Sequence, residues 1–295
     1  MLVYDRESNS AWEIPRQTTS EEDWPYGATW WEDKLYVAWR NPSEIVEYDN
    51  SLKVTRKAPV GKKDGAHQMT CKEGELWMAD TELDRFFVVN ANTLKHKMQF
   101  NPDKDKPAPG HRHWNSVAFY GDEVWLMAHS WNQPTSMTFV YSWPGLARKE
   151  IVPGGKAAHN VFKFDGEMTI CDSANYRLLQ PRSNKTLFQG NSYLFLRGAA
   201  LSKDTLVIGY SGRCKIRNER GKEQGGLIFF DGLKFGSPTY VSLNSGPVEE
   251  IRILDEPDSA HGQPPFWGKD CPWSPDDGKR IAVGEPTLVA PTKNG

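Results

Sequence analysis

Apolar and polar residues alternate with period two through most of the chain, in short runs broken by Gly, Asp, Asn and Pro. Three stretches stack directly: "HQMTCKEGELWMAD" (67–80), "HWNSVAFYGDEVWLMA" (113–128) and "HNVFKFDGEMTICD" (159–172). Each opens on His, alternates, turns at Lys-Glu-Gly, Gly-Asp or Asp-Gly, and resumes as an apolar strand, as a hairpin requires. Two further stretches share the pattern with other leading residues, Tyr26 in "YGATWWEDKLYVAW" and Arg197 in "RGAALSKDTLVIGY". After each hairpin comes a second pair of strand-like runs, among them "RFFVVNANTLKHKMQF" and "TFVYSWPGLARKEIVP". No useful length carries helical periodicity.

Four strands in every 40 to 50 residues is the signature of a propeller blade. The pattern predicts an all-β fold, a β-propeller of six blades or of five with an arm, forming one domain over 1–295. Five blades are explicit. "PVEEIRILDEPD" (247–258) reads as the innermost strand of a sixth, and residues 1–16 read as its outer strands. The N- and C-terminal segments would then close the ring together. Residues 259–295 form a Pro-rich C-terminal arm, in which "RIAVGEPTLVAP" is the stretch able to add a late strand.

Repetition changes the meaning of the histidines, of which the chain has seven in 295 residues. The innermost strands of a propeller line the axial channel, and side chains alternate along a strand. A fixed strand position therefore forms a ring around the axis. Tyr26, His67, His113, His159, Arg197 and Glu249 or Glu250 are expected to converge at one mouth of that channel, with His67, His113 and His159 spaced evenly at 46 residues. Neutral imidazole is a common ligand of first-row metals. His67, His113 and His159, with Glu250 and optionally His261, are the expected ligands of a divalent ion such as Zn, Fe, Mn or Cu. Tyr26, Arg197, Glu249 and Glu250 are candidate catalytic groups. Arg197, Asn115 and Asn160 are candidate contacts to a small polar or anionic substrate. A recurring His can also serve only to bond a neighbouring strand, but that role would keep one residue type throughout. His111 is a weaker ligand candidate, and His96 and His129 read as structural or exposed.

These residues suggest an enzyme acting in the axial funnel, a metal-dependent hydrolase, lyase or oxidase. The alternative is a non-catalytic propeller that binds a small ligand, a glycan or a protein. Charge removes one class: 36 Lys and Arg against 38 Asp and Glu give a net −2, with no basic excess for nucleic acid. No run of apolar residues is long enough to span a bilayer. Cys71 and Cys171 fall in strand-like runs as buried free thiols, without CxxC spacing, which points to a reduced cytoplasmic setting. "GRCKIRNERGKEQGG" (212–226) lacks phosphate-loop spacing and reads as an exposed loop.

The motifs Arg197-Gly198-Ala199-Ala200, Val207-Ile208-Gly209-Tyr210, Val248-Glu249-Glu250-Ile251, His67-Gln68-Met69-Thr70, His113-Trp114-Asn115-Ser116 and Ala158-His159-Asn160 also form a set. In these motifs the chain resembles, over most of residues 60–255, an uncharacterised family of conserved bacterial proteins, some carrying tetratricopeptide segments. Ser116, Ala158 and Gln68 depart from that family's Gly, Pro and Asp. The resemblance implies that His67, His113, Asn115, His159, Arg197 and the Glu pair belong together. It implies no particular reaction.

Overall fold

The computed structural model describes residues 1–14, 24–40, 43–60, 65–102, 112–130, 133–212, 224–243, 245–268 and 271–284. Two N-terminal strands, β1 (Leu2–Asp5) and β2 (Ser10–Glu13), precede the first full blade of β3 (Pro25–Trp31), β4 (Lys34–Trp39), β5 (Glu44–Tyr48) and β6 (Val54–Pro59). Blade two is β7 (Ala66–Lys72), β8 (Glu75–Asp80), β9 (Arg85–Asn90) and β10 (His96–Phe100). Blade three is β11 (Trp114–Tyr120), β12 (Glu123–Ala128), β13 (Met137–Ser142) and β14 (Arg148–Pro153). Blade four is β15 (His159–Phe164), β16 (Glu167–Asp172), β17 (Arg177–Gln180) and β18 (Lys185–Gln189). Blade five is β19 (Leu194–Leu201), β20 (Thr205–Gly212), β21 (Gly225–Asp231) and β22 (Thr239–Leu243). The C-terminal region adds β23 (Lys279–Ile281), which pairs with β2, and β24 (Val283–Gly284), which pairs with β22. The protein is thus an all-β, six-bladed propeller whose sixth sheet, β1-β2-β23, is built from both ends of the chain.

The period-two pattern explains why the blades stack. On β8, Leu76 and Met78 face the core shared with blade one, while Trp77 and Ala79 face the core shared with blade three. Each blade is apolar on both faces, so six separate cores fill the six interfaces around the ring. The closing sheet obeys the same rule: Met1 and Val3 pack toward blade one, and Leu2 and Tyr4 toward blade five.

Polar stitches join neighbouring inner strands where the cores end. Cys71 N donates to Thr29 Oγ1 at 3.0 Å and Val117 N to Gln68 Oε1 at 3.2 Å. Asn160 N donates to Ser116 Oγ at 2.8 Å, and Gly198 N to Asn160 Oδ1 at 2.7 Å. Val248 N on Ser211 Oγ, at 3.2 Å, and Arg252 Nε on the Ala28 carbonyl, at 2.6 Å, complete the circle.

Residues 247–254 differ from the expected inner strand. They run beside β19 and β20, with Ile251 in the core shared by blades five and six and Leu254 in that of blades six and one. They hold the inner position of the sixth blade but form no ladder. An ideal Cβ at Gly209 would lie 2.5 Å from Val248 Cγ1 and one at Gly198 2.9 Å from Ile251 Cγ1, so this close approach needs glycine on both strands. His111, Cys214 with the rest of 213–223, expected as an exposed loop, and residues 285–295 lie outside the described residues.

Candidate functional site

The inner strands share a local irregularity, near the start of β3, β7, β11 and β15 and midway along β19. Each of β3, β7, β11, β15 and β19 shifts register by one against its hairpin partner, between Pro25 and Gly27, Ala66 and Met69, Trp114 and Ser116, His159 and Val161, and Arg197 and Ala199. A bulge leaves one residue unpaired and re-aims its neighbours. Here it recurs in five blades at the same mouth of the channel. Asn160 adopts φ 49° and Gly198 φ 73°, left-handed conformations that Asn and Gly tolerate best.

Around that mouth the aromatic rings touch in sequence. Tyr26 and His67 have centroids 4.9 Å apart, His67 and His113 5.5 Å, His113 and His129 5.0 Å, His129 and His159 5.4 Å, and His159 and Phe195 5.6 Å. The structure places His67, His113 and His159 in one arc of ring contacts and adds His129 and Phe195. Counting back five residues from the residue before each two-residue turn gives Tyr26, His67, Asn115 and His159. His113 sits two residues earlier, just ahead of β11, and its equal spacing in sequence does not reflect equal register. It reaches the arc through φ 53°, with its N–H on Asp84 Oδ1 at 3.0 Å and its carbonyl accepting from His129 N at 3.1 Å.

The residue following the second strand of a hairpin lies across from the leading residue, and sequence reading passed it over. In blade one Arg40 Nη1 donates to the Tyr26 hydroxyl at 2.7 Å. In blade three the position holds His129, and in blade four Ser173, whose Oγ is 3.0 Å from His159 Nδ1. The signal was available: the end of each second strand is readable from the hairpin, and the next residue must return to the mouth.

Burial, together with the nearby His113, Arg197, Arg40 and His129, holds His67 well below the usual imidazole range. Burial, Arg197 and the other three rings do the same for His159. Both are therefore neutral at pH 7. Among the described residues, no group of three or more His, Cys, Asp and Glu could hold a metal ion. With centroids 5.0–5.5 Å apart and interplanar angles of 38–71°, His67, His113, His129 and His159 pack on one another rather than converging on the expected divalent ion.

The two glutamates point to different partners. Glu249 forms an ion pair with Arg197, each side chain 10% exposed, so the expected anion-binding guanidinium already holds an internal carboxylate. Glu250 lies further along the channel, where it accepts from Arg252 Nη1 at 2.6 Å and from Asn160 Nδ2 at 3.4 Å. Burial raises its carboxyl above the ordinary range despite Arg252 and His261. His261 bonds Arg252 and Asp258 and lies 3.7 Å from Glu250, away from the other imidazoles in bonding as well as in sequence. Asn115 donates to the Ala158 carbonyl at 2.8 Å, so both candidate asparagines stitch blades together at the mouth. Two outer grooves, about 410 Å³ between Pro153 and Arg177 and about 580 Å³ between Phe164 and Phe235, contain none of the expected site residues.

Fold and site together define a six-bladed propeller with an imidazole-lined axial mouth, and several solved structures are similar to it in fold. A luciferin-regenerating enzyme matches with TM-score 0.60 and 12% identity, over 88% of this chain and 90% of that one. A streptogramin B lyase matches at 0.51 and 13%, over 82% and 90%. A chain of the nidogen/laminin complex matches at 0.51 and 12%, over 78% and 88%. At such identities the likeness is one of fold. No family model matches the chain, and no curated protein does. No helix among the described residues is long and apolar enough to cross a membrane.

Proposed function

We propose that the protein is an enzyme of lyase or hydrolase type, with its reaction site at the imidazole-lined mouth and a small polar or anionic substrate. The observation that carries this reading is the unbroken run of ring contacts from Tyr26 to Phe195, in which His67 and His159 are kept neutral. A neutral imidazole carries the free ring lone pair that a general base needs. His159 or His67 would take a proton from the substrate or from an attacking water. The Tyr26 hydroxyl accepts from Arg40 and so keeps its own proton to donate to a leaving group. Enzymes and a complex-forming protein both occur among the fold relatives, so the site, not the fold, supports the choice.

The test is turnover of a panel of lactones, esters and carboxylates with β-leaving groups, by wild type, His159→Gln and His67→Gln. A substrate turned over by wild type should lose about 10²–10⁴-fold in rate in His159→Gln, with folding intact. Turnover unchanged in both variants would move the reaction away from this mouth. Metal content belongs to the same experiment, since neutral imidazoles also ligate metals. About one equivalent of Zn, Fe, Mn or Cu, lost in His113→Ala, would overturn the metal-free form of the proposal. The Arg197–Glu249 pair favours a second reading. Ligand binding at the mouth without turnover of any panel member would support a non-catalytic binding protein.

A further inference from the structure

Ser173 is fully buried, at the start of a single 3-10 turn that follows β16. Its Oγ lies 2.6 Å from the Leu196 carbonyl of the next blade, 3.2 Å from the Cys171 carbonyl and 3.0 Å from His159 Nδ1. A hydroxyl has one proton and two lone pairs. Two carbonyl oxygens can only accept, and the shorter contact takes the Ser173 proton, because a 2.6 Å oxygen–oxygen approach without a proton between them would be repulsive. Oγ must then accept from His159 Nδ1–H. A neutral imidazole carries one N–H, so the lone pair is confined to Nε2. Among the described residues Nε2 has no hydrogen-bond partner, and it is not one of the buried polar atoms sealed from the channel.

We infer that Ser173 is a positioning residue that locks His159 in its Nδ1–H tautomer, presenting Nε2 as the proton acceptor of the mouth. The hydroxyl touches neither substrate nor reacting atoms. It acts through the ring, as the group behind a catalytic imidazole does in hydrolytic triads, with the Leu196 carbonyl as the fixed end of the relay. Blade five thereby sets the protonation pattern of a residue on blade four. The kinetic arm of the test rests on the proposed reaction at this mouth, whereas the tautomer arm does not.

The experiment is ¹⁵N NMR of the full chain labelled at histidine, with the His159 signals assigned by their loss in His159→Gln. Wild type is expected to show a pyrrole-type Nδ1 and a pyridine-type Nε2. Ser173→Ala should release the lock and give a mixture of tautomers, and Ser173→Thr should restore it. On a substrate found in the panel, Ser173→Ala should lower kcat about tenfold, the value of one hydrogen bond, with KM unchanged and Ser173→Thr close to wild type. An Nε2–H tautomer in wild type overturns the inference, even if Ser173→Ala fails to fold. So does a tautomer that Ser173→Ala leaves unchanged. A released tautomer with undiminished turnover would support the lock and instead remove His159 as the base.

Discussion

The two ends of the axial channel use similar residue types in opposite ways. At the mouth, where the inner strands begin, imidazoles pack on one another and two of them are neutral. Toward the C-terminal ends of the same strands, Arg252, Glu250, Asp258 and His261 bond one another, all with side chains under 10% exposed. That inner group also ties the blades together. Arg252 donates to the carbonyls of Ala28 and Met69, Asp258 accepts from Leu201 N, and Gln263 reaches Thr29 and Trp30. Tyr120 donates to the Ala260 carbonyl, and Asn160 to Glu250. One segment, 250–263, thus bonds to all five complete blades. A His among saturated charges is structural, and a His with an open nitrogen is available for chemistry. Residue type alone does not separate them.

The largest effect expected from breaking this contrast is at Arg252. Arg252→Ala leaves Glu250 buried without its cation and removes bonds to blades one and two. Breaking a buried pair on one side costs about 3–5 kcal/mol, to be read from urea unfolding. Arg252→Met with Glu250→Gln should recover part of that loss. If Arg252→Ala costs less than His159→Gln, the inner group is not the clamp described above.

A smaller loss is expected at the stitches. Asn160→Gly keeps the left-handed backbone but leaves Gly198 N–H without its acceptor, at a cost of about 1–3 kcal/mol. The same change would loosen the approach of blades four and five at the mouth, so ligand affinity should fall alongside stability.

Acid titration separates His67 and His159 from Glu250 by sign, while Asp258, which despite burial is held low by His261 and Arg252, shares the sign of the imidazoles. Burial, neighbouring rings and guanidinia lower His67 and His159 in the folded protein, from the ordinary value of 6.5. Below that pH the unfolded chain binds protons that the folded one does not. Their contribution is complete above about pH 6.5 and is lost on acidification, by up to about 1.4 kcal/mol per pH unit for each group. Glu250 has the opposite sign: its raised carboxyl favours folding at low pH, and that contribution fades as pH rises above the ordinary value of 4.5. Stability measured from pH 7 to 5 should therefore fall less steeply in His67→Gln/His159→Gln than in wild type. An equal slope in both would mean that the imidazoles are not held neutral.

The blades were legible because alternation, turn residues and period all repeat: both faces of a strand such as β8 enter cores, so every position carries fold information. The mouth was legible in part. His67 and His159 occupy the same register, so the repeat found them. His113 was found through a spacing that coincides without sharing register, and Asn115 is its true counterpart to His67. Unequal intervals between blades are what obscured this: 48 residues separate His67 from Asn115 and 44 separate Asn115 from His159, so equal spacing of the histidines does not mark equal register. The inner group was out of reach for a different reason. Its bonds join residues 250–263 to strands far away in sequence, and no local pattern records them.

The smallest effect is expected at His113, and it bears on why a His stands there. Its backbone is fixed from both sides by Asp84 and His129, in a left-handed conformation at φ 53° that costs a non-glycine residue about 1 kcal/mol. His113→Gly keeps both backbone bonds and relieves that cost. It gives up ring contacts worth about 0.5–1.5 kcal/mol, so stability should stay within about 1 kcal/mol of wild type by thermal and urea unfolding. His113→Val, β-branched and unsuited to positive φ, should be less stable than His113→Gly. A fold that would accept glycine here at no net cost has no structural use for the imidazole. If His113→Gly proves as damaging as Arg252→Ala, the ring is part of the scaffold and the contrast between the two ends fails. If it is neutral for folding while ligand binding or turnover falls, the His at the mouth of β11 is there for what enters the channel.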